Sequence, residues 1–257
     1  MAGREPLPIV RRPDDRAARL DPVWYAAYGS NLDADRFGCY LGGGRPVGGQ
    51  RDHPGCRDGS PPRDDRPVLL PGGLYFALES RTWSGGMAFY DPGLPGVVAA
   101  RAYLLTADQF ADVAAQEMHR LPSGPLDLIA AAVAAGRAST GPGRYETVVC
   151  AGILDGHPVL TLTAPWRAGD VPPNPPAPAY LATIARGLRA SHGWTDAQIA
   201  DYLAGANPCG VKLSGVKPPS VKLSGTEPSG GPAARGGGQD VNRGDSRRFS
   251  SPVGSDR

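Results

Sequence analysis

Two stretches of this sequence carry residue types that could do chemistry together. The first is Tyr28-Gly29-Ser30-Asn31-Leu32, where a strand-like run from Val23 breaks into a short polar turn. A helix-like segment, residues 33–41, follows at once. Such a turn aims backbone N–H groups and two small polar side chains at one point, which suits a carboxylate, an oxyanion or a phosphate. Gly-Ser-Asn also makes ordinary turns, so the motif alone leaves both readings open.

The second is Glu117. Thr106-Ala107-Asp108-Gln109 has the form of a capping box and predicts a helix running to about residue 118. Phe110, Val113 and Ala114 define its apolar face, and Glu117 lies seven, four and three residues beyond them, on the same inward side. Asp108 and Asp112 fall on other faces and are expected in solvent. A carboxylate on a buried face is either ion-paired or desolvated with a raised pKa. The second state is what acid–base work near neutral pH requires. The competing expectation is a frayed helix end that leaves Glu117 in water.

The elements needed to bring these residues together are legible around them. Short strands are predicted at residues 68–70, 73–78, 87–90 and 99–105. A helix is predicted at 125–135, with Pro125 in its first turn. Strands at 145–154 and 157–163 are joined by Asp155-Gly156, a strong hairpin signal. A proline-rich connection leads to a helix at 179–191, and Thr195-Asp196-Ala197-Gln198 opens a last one ending near Leu203. Residues 42–67 form a loop long enough for a lid or a substrate-side insertion, or for a wandering surface loop.

Composition sets the boundaries. Residues 1–21, rich in Arg, Asp and Pro, are expected as a mobile N-terminal arm, and residues 22–205 as the folded domain. From residue 206 to 257 the chain turns to Gly, Ser, Pro and Arg, with Val-Lys-Leu-Ser-Gly repeated at 211 and 221. Such a tail is expected to be disordered, because it cannot bury enough apolar surface to offset its chain entropy. The formal charge of +2 is unevenly spread. Residues 21–205 hold 14 Lys/Arg against 18 Asp/Glu, residues 206–257 hold 8 against 4, and residues 1–20 hold 5 against 3. With the basic excess confined to the ends, nucleic acid is not an expected partner of the folded part. No apolar run approaches the ~20 residues of a membrane span, and the first residues lack a signal-peptide core, so a cytoplasmic protein is expected. The cysteines Cys39, Cys56, Cys150 and Cys209 form no C-x-x-C pair and are expected as free thiols.

The turn and the glutamate together resemble a known family. Tyr28-Gly29-Ser30-Asn31-Leu32 at the end of a first strand looks like the YGSNL signature of the γ-glutamylcyclotransferase-like superfamily. Ala115-Gln116-Glu117 is similar to the segment bearing that family's catalytic Glu. The resemblance covers roughly residues 22–165. It implies an α+β fold with a small, mixed, β-barrel-like sheet flanked by helices. It implies that Tyr28, Gly29, Ser30, Asn31 and Leu32 bind the glutamyl moiety, that Glu117 is the acid/base, and that Tyr145 lines the pocket, although a core tyrosine is an equal reading. The implied reaction is intramolecular aminolysis of a γ-glutamyl amide, releasing an amine or amino acid and 5-oxoproline, with no metal or cofactor. Residues 121–144 form a longer connection after the Glu segment than compact members have, and His119-Arg120 could meet an acidic substrate or simply solvent.

Three alternatives stand beside this reading. A non-catalytic member of the same fold would bind a small molecule or peptide end without turning it over. A zinc-dependent deacylase or amide hydrolase is suggested by Asp155-Gly156-His157 with Asp170, but those residues also make the hairpin turn, and no other clustered His supplies ligands. A serine hydrolase is disfavoured because Ser30 lacks a G-x-S-x-G elbow.

Overall fold

A computed structural model describes residues 5–47, 49, 51–123 and 127–206. The disordered tail expected at 206–257 therefore lies almost wholly outside the described residues, as do Pro125 and Cys209. The described part is α+β. Its strands are β1 (Leu7–Pro8), β2 (Val23–Ala27), β3 (Asp65–Pro71), β4 (Gly73–Ala77), β5 (Met87–Asp91), β6 (Val97–Leu105), β7 (Arg137–Ser139), β8 (Thr147–Leu154) and β9 (His157–Thr163). Its α-helices are α1 (Ala34–Gly42), α2 (Ala107–Glu117), α3 (Leu128–Ala135), α4 (Pro178–His192) and α5 (Asp196–Gly205).

Seven strands form one mixed sheet in the order β1-β3-β6-β2-β9-β8-β7, and β4 and β5 form a separate ribbon. The sheet flanked by helices is as expected, but it is open, not barrel-like. Its ends are a two-residue and a three-residue strand, β1 and β7, and such short edges offer little ladder for closure. β2 lies at the centre, antiparallel to β6 and parallel to β9.

All five residues of β2 are buried, because helices cover both faces of the sheet. Val23, Tyr25 and Ala27 enter a core with Phe37 of α1, Phe110 and Val113 of α2, and Ile129 of α3. Trp24, Ala26 and Tyr28 alternate to the other face and pack with Tyr180, Ile184 and Leu188 of α4 and Ile199 of α5. Asp155 and Gly156 both take positive φ, 51° and 81°, at the β8–β9 turn, as a two-residue hairpin with right-handed strands requires.

The first residues differ from expectation. Residues 7–17, read from composition as part of an arm, are packed on the sheet. Leu7 and Pro8 pair in parallel with Val68 and Leu69, Ile9 is 2% exposed, and the Arg11 guanidinium donates to the Val133 carbonyl at 2.5 Å. Ile9 is the one apolar side chain this segment buries among the described residues, too little to register against its charged composition.

One buried group gives the fold an acid lability. His192, at the end of α4, is 6% exposed and touches Ser191 Oγ at 2.7 Å. Burial pushes its imidazole from 6.5 down to about 4. The folded chain thus holds the neutral form. The stability this contributes is complete above pH 6.5 and is lost as the pH falls from 6.5 towards 4. At 1.36 kcal/mol per pKa unit the loss approaches ~3 kcal/mol. The denaturant midpoint of the wild type should therefore drop across that window more steeply than that of His192→Asn. Equal slopes would assign the acid lability to other groups.

Candidate functional site

Glu117 is the last residue of α2, and the capping box at Thr106 and Gln109 that fixes the start of that helix is formed in both directions. Phe110, Val113 and Ala114 are completely buried, so the helix is held with Glu117 facing inward. Glu117 as a whole is half-buried, and it forms part of the wall of both cavities described below. Asn31 Nδ2 donates to Glu117 Oε1 at 2.9 Å. The turn and the glutamate, 86 residues apart in sequence, thus touch directly. Burial raises the pKa of Glu117 above its usual 4.5. Tyr40, Arg36 and the Asn31 hydrogen bond oppose the rise without cancelling it.

The turn leaves the C-terminal end of β2 as a single 3-10 turn, Ser30–Leu32, and Asp33 then caps α1 by accepting from the Arg36 backbone N–H at 3.1 Å. Its shape is fixed from three sides. Tyr103 of β6 donates its hydroxyl to the Asn31 carbonyl at 2.8 Å. Tyr28 donates to the Leu162 carbonyl of β9 at 2.7 Å. Arg186 of α4 donates to Asp33 at 2.8 Å.

Around the turn lies a narrow pocket of ≈ 40 Å³, lined by Tyr25, Tyr28, Gly29, Ser30, Asn31, Ala88, Glu117, Tyr145, Leu162 and Tyr180. Its tyrosines have pKa values pushed above 10, chiefly by burial, so they stand as neutral hydroxyls at any physiological pH. Tyr145 donates to the Ala88 carbonyl at 2.8 Å and stacks on Phe89 at 5.2 Å. The Tyr180 hydroxyl receives the Ala88 backbone N–H at 3.3 Å. A Cβ at Gly29 would stand 3.0 Å from that hydroxyl, so glycine there keeps the backbone close to Tyr180. Asn31 Oδ1 is buried and has no partner among the described residues, which leaves an acceptor unfilled beside Glu117.

A wider basin of ≈ 320 Å³ shares Glu117 with this pocket and opens past Tyr40, His53 and the start of the 42–67 loop. That loop is held down by the polar face of α2. Asp112, expected in solvent, is 1% exposed and accepts from the Arg57 backbone at 2.9 Å and its side chain at 3.0 Å. Gln109 donates to the Ser60 carbonyl at 2.9 Å, and Gln116 to the Tyr40 carbonyl at 2.9 Å and the Gly55 carbonyl at 3.3 Å. A helix read as half-solvated therefore has a second buried face, because the long loop covers it.

Of the residues singled out from sequence, Tyr28, Gly29, Ser30, Asn31, Glu117 and Tyr145 all border the one pocket. Leu32 does not. It is fully buried and packs under Gly187 of α4. Tyr25 and Tyr180, and beyond the pocket Tyr40 and Arg36, escaped the sequence reading. Arg36 and Tyr40 are one helical turn apart on the helix that starts at the motif, a spacing that places both on one face. Tyr180 follows the proline-rich connection and carries no local signal.

No family model matches the chain. The sequence is similar to Histone deacetylase 5 of Arabidopsis thaliana, 35% identical over 188 residues, which are 66% of this chain and 28% of that protein. The chain thus spans little more than a quarter of that curated relative's length. Solved structures that are similar include an uncharacterized protein from Homo sapiens, with TM-score 0.43 and 15% identity over 77% of this chain and 94% of that one. A γ-glutamyl cyclotransferase gives TM-score 0.43 and 16% identity over the same shares, 77% and 94%. YkqA from Bacillus subtilis gives TM-score 0.36 and 14% identity over 66% and 49%.

Proposed function

We propose that this chain is a γ-glutamylcyclotransferase-like enzyme that converts a γ-glutamyl amide into 5-oxoproline and a free amine. The observation that carries the reading is the 2.9 Å hydrogen bond between Asn31 and Glu117. It joins an anion-holding turn to a desolvated acid in one small pocket.

In this reading the turn at Gly29, Ser30 and Asn31 holds the glutamyl unit folded back on itself, with the neutral tyrosine hydroxyls completing the wall. The substrate's own amino group attacks its γ-carbonyl. The new C–N bond closes a five-membered ring, and the bond from the carbonyl carbon to the departing nitrogen breaks. Glu117 takes a proton from the attacking ammonium and returns one to the leaving nitrogen, so no external nucleophile enters. Holding the two ends of one molecule together converts binding energy into rate, with effective molarities of about 10⁵ M or more in well-oriented cases. Backbone amides at the turn stabilise the oxyanion as it develops.

The direct test is mass spectrometry for 5-oxoproline after the chain is incubated with a panel of γ-glutamyl amides. Product from at least one member is expected. A panel that binds yet gives none would make this a binding module of the same fold. The activity named for Histone deacetylase 5 belongs to a protein of which this chain matches 28%. A metal-dependent deacylase would require a gathered ligand set, and among the described residues no three of His, Cys, Asp and Glu are placed to hold a metal ion. Asp155 and Gly156 make the β8–β9 turn, and His157 pairs with Leu154 across it. Among the described residues no helix is long and apolar enough to cross a membrane.

A further inference from the structure

Among the described residues the basin beside Glu117 is lined by five arginines, Arg36, Arg51, Arg81, Arg120 and Arg144, and by one other carboxylate, Asp52. Two of these charges are already neutralised, since Asp52 pairs with Arg45 at 2.9 Å and Arg120 with Glu146 at 2.5 Å. Among the described residues Arg36, Arg51, Arg81 and Arg144 have no ion pair. Arg144 donates to the Glu79 carbonyl at 3.1 Å and to Met87 Sδ at 3.2 Å.

Arg36 is the firmest of the four. It is 8% exposed, its Nε is buried with no acceptor among the described residues, and its guanidinium lies 5.1 Å above the ring of Trp83, which in turn stacks on Tyr180 at 5.4 Å. A buried guanidinium short of an acceptor is costly unless something supplies the acceptor. Arg51, Arg144 and Arg81 converge from three separate loops, and all three act on the same imidazole, His119, which burial and their charges hold below its usual pKa. The ≈ 320 Å³ enclosed is the size of a small-molecule site and too small for a folded partner. Planar guanidinium forks match carboxylates in bidentate pairs, which selects them over neutral groups.

We propose that this basin receives the amine half of the substrate and that this half is a small polyanion, an amino acid or short peptide bearing at least two carboxylates beyond the glutamyl unit. The assignment rests on the cyclotransferase reading for which half of the substrate lies here. The basin itself can be tested without turnover.

Calorimetry on the full chain with free triglutamate, triglutamine and inorganic tripolyphosphate reads it directly. Triglutamate is expected to bind at least tenfold more tightly than triglutamine. Its affinity should fall steeply with added salt, and at least tenfold in Arg81→Ala/Arg144→Ala. Should that double variant fail to fold, Arg51→Gln and Arg81→Gln, on exposed loop positions, carry the same expectation in smaller steps. Equal binding of the acidic and neutral peptides, or affinity indifferent to these substitutions, overturns the proposal. So does tripolyphosphate binding tenfold tighter than triglutamate, which assigns the basin to phosphates. In turnover, γ-glutamyl amides of acidic amines should exceed those of neutral amines at least tenfold in kcat/KM, through KM. If triglutamate binds but no γ-glutamyl amide yields 5-oxoproline, the cyclotransferase reading fails and the polyanion site stands. If neutral amides turn over and triglutamate does not bind, the reverse holds.

Discussion

Glu117→Gln should lower 5-oxoproline formation at least a hundredfold while leaving the fold and the binding of a γ-glutamyl ligand in place. General acid–base groups contribute about 10²–10⁴-fold, and among the described residues no second carboxylate lines this pocket to substitute. The amide is nearly isosteric, and its oxygen can still accept from Asn31 Nδ2, so geometry is preserved while proton transfer is lost. The substitution also has a signature in stability. Burial raises the folded pKa of Glu117 above 4.5, so the folded chain favours the protonated form. The stability this contributes is present below the unfolded pKa and is lost as the pH rises through the folded one. Glutamine does not titrate, and Glu117→Gln should therefore gain stability relative to the wild type as the pH climbs above 4.5. The acidic limb of the wild-type kcat/KM profile should also lie above 4.5, because the base form is needed to accept the ammonium proton. A glutamine variant that turns over within threefold of the wild type would remove Glu117 from the mechanism.

Gly187→Ala should destabilise the protein by a net ~1 kcal/mol, where an ordinary mid-helix Gly→Ala change stabilises by roughly 1 kcal/mol. The reason is contact with the site. A Cβ at Gly187 would lie 2.4 Å from both the backbone carbon and the Cβ of Leu32, and 2.7 Å from the Asp33 backbone nitrogen. These atoms belong to the turn and cannot swing aside like a flexible side chain. Over-packing of this kind typically costs about 1–3 kcal/mol, enough to outweigh the helix propensity. Relief requires α4 to lift away from the turn, and α4 carries Tyr180. The denaturant midpoint should fall with an unchanged slope, and affinity for a γ-glutamyl ligand should fall with it. A raised midpoint would mean that α4 does not bear on the turn.

The main features of the site could be read from the sequence because they rest on local rules. The Thr106 capping box, the apolar spacing of Phe110, Val113 and Ala114, and the Asp155-Gly156 turn each fix geometry over a few residues. The inward side of Glu117 follows from the first two and the 29–31 turn from the strand-like run before it, whereas their pairing into one site rests on the family resemblance. What was not legible depends on chain returning from far away. Asp112 looked solvated because nothing near it in sequence shows that residues 55–60 fold over α2. Leu32 looked like part of the binding surface because its motif is read as one unit, whereas alternation in three dimensions turns it under α4. Tyr180, Arg81 and Arg144 reach the site from separate connections, and side chains delivered that way leave no periodic trace.

The way the two cavities are built separates what can change from what cannot. The narrow pocket is framed by β2, β5, β9, α2 and α4, whose residues also form the two cores, so a substitution there is felt through the whole sheet. Arg51, Arg81 and Arg144 sit on irregular connections outside any helix or strand, where exchange of one side chain disturbs little else. On the proposed cyclotransferase reading, chains descended from this one would switch the amine they release by altering a few loop positions, while the glutamyl end and its proton chemistry stay as inherited.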